Sequence, residues 1–156
     1  MATTIARKAD EGTALWVLGG LYEIKVSAAE TDGALTVMQM TMAEGFGPPP
    51  HTHPGAEVVY VLEGTLTYHI GDEAVEGTPG SVFHLAAGTK EWFEPTSTPC
   101  KVLATYFPGG IEDFFREVGE PALSLTLPPP ASEPPDFPAV IAAAAKYGMV
   151  IEGPPG

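Results

Sequence analysis

Between Thr13 and Pro108 the apolar residues fall in short runs of strand length, at 14–18, 21–27, 35–42, 57–62, 65–70, 81–85, 91–94 and 101–107. Turn-forming pairs separate several of them: Asp32-Gly33, Glu63-Gly64, Gly71-Asp72 and Pro79-Gly80. Met38, Met40 and Met42 repeat with a period of two, which puts a flexible apolar stripe on one strand face. That stripe reads as core, or as an adaptable lining for an apolar ligand. Short strands at regular spacing, without long helical patterns between them, predict an all-β sandwich or barrel and disfavour a parallel α/β sheet.

After Pro108 the pattern changes. Ile111, Phe114, Phe115 and Val118 fit one face of a short helix. Neighbouring phenylalanines on a helix point about 100° apart, so one can pack inward while the other reaches a cavity as part of a lid. A proline-rich connector at 127–138 then runs extended over the surface. A second helix follows, with Asp136 as N-cap, Pro138 in its first turn, Lys146 in its last and Gly148 just beyond. Its Val140, Ile141 and Ala144 are expected to pack on the barrel. Residues 1–110 thus read as the β-domain and 111–156 as a C-terminal extension packed against it.

With 156 residues, 44% of them hydrophobic, the chain can bury one sizeable core. Its 18 glycines and 17 prolines suit many strands joined by turns. Lys and Arg number 7 against 20 Asp and Glu, a net charge of −13 that disfavours nucleic acid as a partner. Cys100 is the single cysteine, so no disulfide forms within the chain, as suits a reducing cytoplasm. The first twelve residues lack the apolar stretch of a signal peptide, and no apolar run reaches the ~18 residues of a membrane span. The expectation is a cytoplasmic protein without a membrane partner.

The chemistry concentrates at 45–64, GFGPPPHTHPGAEVVYVLEG. His51 and His53, two apart, point to one side of an extended strand. Pro54-Gly55 permits a tight turn, after which Glu57 can return facing the same side. Two imidazoles and a carboxylate form a natural ligand set for a divalent metal. A hydrogen-bonded polar cluster without metal would leave three titratable groups buried together, which is costly.

This stretch resembles the first motif of the cupin superfamily, G-x5-H-x-H-x3-E-x6-G, with Gly45, His51, His53, Glu57 and Gly64 filling every specified position. The resemblance implies a small antiparallel β-barrel of the jelly-roll type. The second cupin motif, G-x5-P-x-G-x2-H-x3-N, aligns from Gly80 and keeps Gly88. It has Ala86 for the proline, Pro95 for the asparagine and Glu91 at the position of the usual histidine ligand. Either Glu91 completes a two-histidine, two-carboxylate site that favours harder ions, or the fourth ligand is lost. His84 is the other candidate and reads as a rim residue beside the site, while His69, on the polar face of its strand, reads as solvated. Tyr60, Tyr68, Phe83, Trp92 and Phe93 either line a pocket or fill the interior.

The segment 108–122, PGGIEDFFREVGEPA, is similar to the one that follows the barrel in bacterial quercetinase-like flavonol dioxygenases. That resemblance implies a divalent transition metal (Fe, Mn, Ni, Co or Zn) on His51, His53 and Glu57, with Glu91 as a replacement for the usual histidine ligand if the fourth ligand is kept, and with Glu57 also a catalytic base toward a phenolic substrate. A cupin lyase, cyclase or isomerase, and a cupin that binds a small molecule without turnover, are the alternatives. By the same analogy a homodimer is expected.

Overall fold

The computed structural model describes residues 1–152. Twelve strands occur among them: β1 Thr13–Val17, β2 Gly20–Val26, β3 Thr36–Met42, β4 His51–Thr52, β5 Ala56–Glu63, β6 Leu66–Ile70, β7 Glu73–Gly77, β8 Val82–Leu85, β9 Glu91–Pro95, β10 Cys100–Phe107, β11 Glu120–Pro121 and β12 Val150–Ile151. Two short helices, α1 Glu112–Val118 and α2 Phe137–Lys146, complete the fold. Seven strands form one sheet in the order β11-β1-β2-β3-β10-β5-β8 and five form the other, β12-β4-β9-β6-β7, with antiparallel pairing throughout. The hydrogen-bond ladders do not join into a closed barrel. The architecture is a two-sheet, mostly-β jelly roll: of the sandwich or barrel expected above, the all-β, jelly-roll character holds and the barrel is not closed.

Strand alternation builds the core between the sheets. Met38, Met40, Met42, Val59, Val61 and Val102 come from the larger sheet and meet Leu66, Tyr68 and Phe93 of the smaller one. The Tyr68 ring stacks on Phe83 at 4.6 Å and tilts against Phe93 at 5.3 Å, locking the layers together. Gly64 closes the β5–β6 turn at φ +76°, and a Cβ there would lie 2.3 Å from the Pro99 carbonyl oxygen, so only glycine fits.

Three strands, β7, β11 and β12, have no counterpart in the sequence reading. β7 is an edge strand whose Glu73, Ala74, Val75 and Glu76 are all exposed, so it carries no alternation to detect. β11 and β12 are two residues each, and their existence depends on partners distant in sequence.

The helices fall where the sequence put them. The Asp136 side chain accepts from the Ala139 amide at 3.1 Å, and Gly148 takes φ +77° beyond the end of α2. Val140, Ala143 and Ala144 share the buried face, whereas Ile141, a helical step away, is 40% exposed. That face packs on Phe114 of α1, on Met149 and on Ile151 of β12, so of the three residues expected to pack inward Ile141 alone does not. The segment beyond residue 110 is also woven into both sheets, through β11 against β1 and β12 against β4.

A candidate metal centre beneath an apolar cavity

The site forms where β4, β5 and β9 converge. His51 of β4 is register partner to Glu91 of β9 on one side and to Ile151 of β12 on the other. The Glu152 amide adds a hydrogen bond to the Pro50 carbonyl at 2.8 Å, so the short ligand strand is held from both flanks. His53 follows β4, and the Pro54-Gly55 turn returns Glu57 on β5 facing the same interior.

Ligand atoms of His51, His53, Glu57 and Glu91 all lie within 4.8 Å of one another. His51 Nε2 is 2.9 Å from His53 Nε2 and 3.5 Å from Glu91 Oε1, and His53 Nε2 is 3.3 Å from Glu57 Oε2. His51 Nδ1–H donates to the Pro49 carbonyl at 2.7 Å, which turns Nε2 toward the other three groups. Glu57 and Glu91 are only 3% and 2% exposed, and Glu57 Oε2 has no hydrogen-bond partner. An orphaned buried carboxylate oxygen and two imidazole nitrogens turned toward each other are what a cation would satisfy. The residues present therefore fit a divalent metal, and Glu91 stands inside the cluster rather than outside it.

The electrostatics separate the two carboxyls. Burial, and then the neighbouring Glu91, push Glu57 well above the ordinary carboxyl range. Burial works to raise Glu91 too, but hydrogen bonding to His51 and Glu57 outweighs it and holds Glu91 below its usual value. Of the two, Glu57 holds its proton more tightly than Glu91. Burial and the nearby His51 bring His53 down to about 4.

Three tyrosines surround these groups and were not singled out as site residues by the sequence. Tyr68 donates to Glu91 Oε1 at 3.1 Å. Tyr22 is raised to about 12, and Tyr106 well above its usual value, both chiefly by burial and secondarily by Glu57. Their inward parity on β2, β6 and β10 was the available signal; what they face depends on the packing of the two sheets.

The other histidines stand apart. His84 is exposed on the outer face of β8, paired across from Val58, and so is not at the rim of the site. His69 is only half-exposed, stacked on Trp92 with ring centroids 4.4 Å apart, instead of free in solvent. Trp92 therefore serves an outer face, as does Tyr60 at 43% exposure, while Tyr68, Phe83 and Phe93 fill the interior.

The sequence profile of the family described as Cupin domain matches residues 38–106. This chain belongs to the cupin superfamily. Over 112 residues the cupin is 30% identical to quercetin 2,3-dioxygenase of Bacillus subtilis (strain 168), a match covering 71% of this chain and 33% of that protein. The chain thus spans about a third of the length of that curated relative. Among solved structures, an RmlC-like cupin from Shewanella frigidimarina aligns with a TM-score of 0.59 at 19% identity, covering 73% of this chain and 99% of that one. A predicted oxalate decarboxylase from Thermotoga maritima aligns with a TM-score of 0.57 at 22% identity, over 67% of this chain and 99% of the other. These likenesses establish the fold.

A cavity of about 1400 Å³ opens onto the site of this cupin and reaches all four candidate ligands. Met40, Met42 and Phe93 form its floor, so the methionine stripe is both core and lining. Phe114 and Phe115 of α1 line it as well, and Phe115 meets the Tyr22 ring edge-on at 4.9 Å. The proline-rich stretch 127–135 contributes a further wall, so it does more than cross the surface. No helix of the described residues is long and apolar enough to cross a membrane.

Proposed function

We propose that this cupin is a metal-dependent dioxygenase acting on a bulky, uncharged phenolic molecule of the flavonol kind. The lining of the large cavity carries the reading. Aromatic, methionine and proline side chains wall it, and no lysine or arginine is among the described residues that line it. An anionic substrate entering such a cavity loses hydration without a protein cation to offset the loss. The lining thus favours a neutral ring system over a small dicarboxylate such as the oxalate for which the Thermotoga protein is named. Similarity to the Bacillus enzyme named for quercetin supports the same substrate class.

His51, His53, Glu57 and Glu91 would hold the ion, which would supply Lewis acidity and, if redox-capable, a route to oxygen chemistry. Glu57, in the ionised form that a bound ion requires, would take the hydroxyl proton of the bound phenol on the carboxylate oxygen the ion leaves free. A carboxyl whose proton affinity is raised by burial is a stronger base than an exposed one. Tyr68 fixes the orientation of Glu91 by donating to it. The apolar walls orient the ring and keep water from the reacting edge.

The test is reconstitution with Fe(II), Mn(II), Co(II), Ni(II) and Zn(II) in turn, followed by elemental analysis and oxygen uptake with flavonols and simpler phenols. Near-stoichiometric metal in the wild type, absent from a His51→Ala/His53→Ala double variant, is expected together with oxygen consumption that requires both metal and phenol. Metal-dependent turnover without oxygen consumption would transfer the assignment to a lyase, cyclase or isomerase. Phenol binding that survives chelation, with no turnover, would leave a binding protein. A chain that takes up no metal at all sinks the proposal.

A further inference from the structure

A second cavity, of about 300 Å³, meets the same site from another direction. It shares His53, Tyr106 and Met149 with the large cavity, while His51, Glu57 and Glu91 are not among its lining residues. Its own walls come from the Pro54-Gly55 turn, Ala56, the 108–110 loop, Ile111, Asp113 and Tyr147. These walls are tightly seated. A Cβ on Gly55 would lie 2.4 Å from the Phe107 carbonyl oxygen, and one on Gly109 would lie 2.6 Å from the Leu35 backbone. The glycines let these segments sit directly on neighbouring backbone, and the cavity stands at the small end for ligand sites. No lysine or arginine lines it, and Asp113 is its one acidic member among the described residues.

A bulky organic molecule seated in the large cavity closes that approach to the site. Any second reactant then needs another way in. We propose that the small cavity is this second entrance, through which a small uncharged molecule reaches the His53–Tyr106 side of the site while the large cavity is filled. Its identity as dioxygen rests on the dioxygenase reading above. The division of labour follows the two sizes, about 300 Å³ against about 1400 Å³: the larger cavity takes the organic molecule and the smaller one the diatomic.

The probe is dissolved dioxygen under pressure, whose paramagnetism broadens the NMR signals of methyl groups it approaches, applied to metal-free protein labelled at alanine and methionine methyls. Ala56 reports on the small cavity alone, Met40 and Met42 on the large one, and Met149 on both. The expected result is stronger broadening at Ala56 than at exposed Ala142 of α2. A flavonol should protect Met40 and Met42 and leave Ala56 broadened. Asp113→Trp, at a position 61% exposed and so tolerant of substitution, should remove the broadening at Ala56 by narrowing the mouth. Tyr147→Ala should increase it by removing a wall. Broadening at Ala56 no greater than at Ala142, or unchanged in both variants, overturns the proposal. A flavonol that fails to shift Met40 and Met42 counts against the substrate reading alone, since the dioxygen measurement uses neither metal nor substrate.

Discussion

A carboxyl buried beside a second carboxylate keeps its proton above the ordinary glutamate range, and Glu57 is in that position. A metal ion requires the ionised form, so its binding expels that proton. Calorimetric titration of Zn(II) or Co(II), repeated in buffers of different ionisation enthalpy, should therefore show net proton release on binding, and Glu57→Gln should reduce it. His53 gives the complementary expectation for the metal-free protein. Its folded value of about 4 lies below the ordinary 6.5, so between these pH values the unfolded chain binds the extra proton. Stability is then complete above the unfolded value and declines on acidification toward the folded one, by an amount on the order of 3 kcal/mol. Denaturant midpoints for wild type and His53→Asn, both stripped of metal, should diverge across that window; parallel pH profiles would remove His53 from the account. Glu57 titrates with the opposite sign, so the difference between the two proteins, rather than either profile alone, isolates the histidine.

At the scale of elements, one buried carboxylate ties α1 to the β-structure. Glu112, 2% exposed, accepts from the Ala28 amide at 2.6 Å, the Thr36 hydroxyl at 2.5 Å and the Gly110 amide at 3.1 Å. A satisfied buried carboxylate of this sort is destabilising to remove, because the Ala28 amide and the Thr36 hydroxyl lose their acceptor and the Gly110 amide keeps only Thr36 Oγ1, at 3.0 Å. Glu112→Ala should cost roughly 3 kcal/mol in urea unfolding, and Glu112→Gln less, since the amide oxygen still accepts from one side. Because α1 carries Phe114 and Phe115 on the wall of the large cavity, the alanine variant should also bind flavonols more weakly at unchanged metal content. An unfolding midpoint within error of wild type would show that the network merely fills space. The same element logic explains β12: its pairing with β4 backs the strand that carries His51, so the end of the described chain supports the metal-ligand geometry.

Across the whole molecule, sequence-distant pieces enclose the site. The stretch 127–135 lines the large cavity and is fastened at its ends, by Trp16 Nε1 donating to the Thr126 carbonyl at 2.9 Å and by the Asp136 cap of α2. Prolines at 128–130, 134 and 135 limit its unfolded freedom and so hold a wall that has little hydrogen bonding of its own. Replacing those five prolines by glycine or serine should leave metal content unchanged while weakening flavonol binding about tenfold, read by fluorescence titration. Equal affinity in both proteins would mean that the wall is not used.

Alternation and turn chemistry are local, which is why the main strands, both helices and the Asp136 cap were legible from the chain alone. The spacing of His51, His53 and Glu57 was legible for the same reason, since one strand, one turn and the next strand fix their common direction. Glu91 was ambiguous because it stands thirty-four residues beyond Glu57, and only the antiparallel register of β4 with β9 brings it opposite His51. Edge and two-residue strands, the outward turn of Tyr60 and His84, and the tyrosines around the carboxyl pair were decided by tertiary structure. So were the cavities, whose walls come from β-strands, two helices and a proline strap that no local pattern connects. What one segment can do alone is written in its side-chain period; what several segments enclose depends on how their buried faces pack.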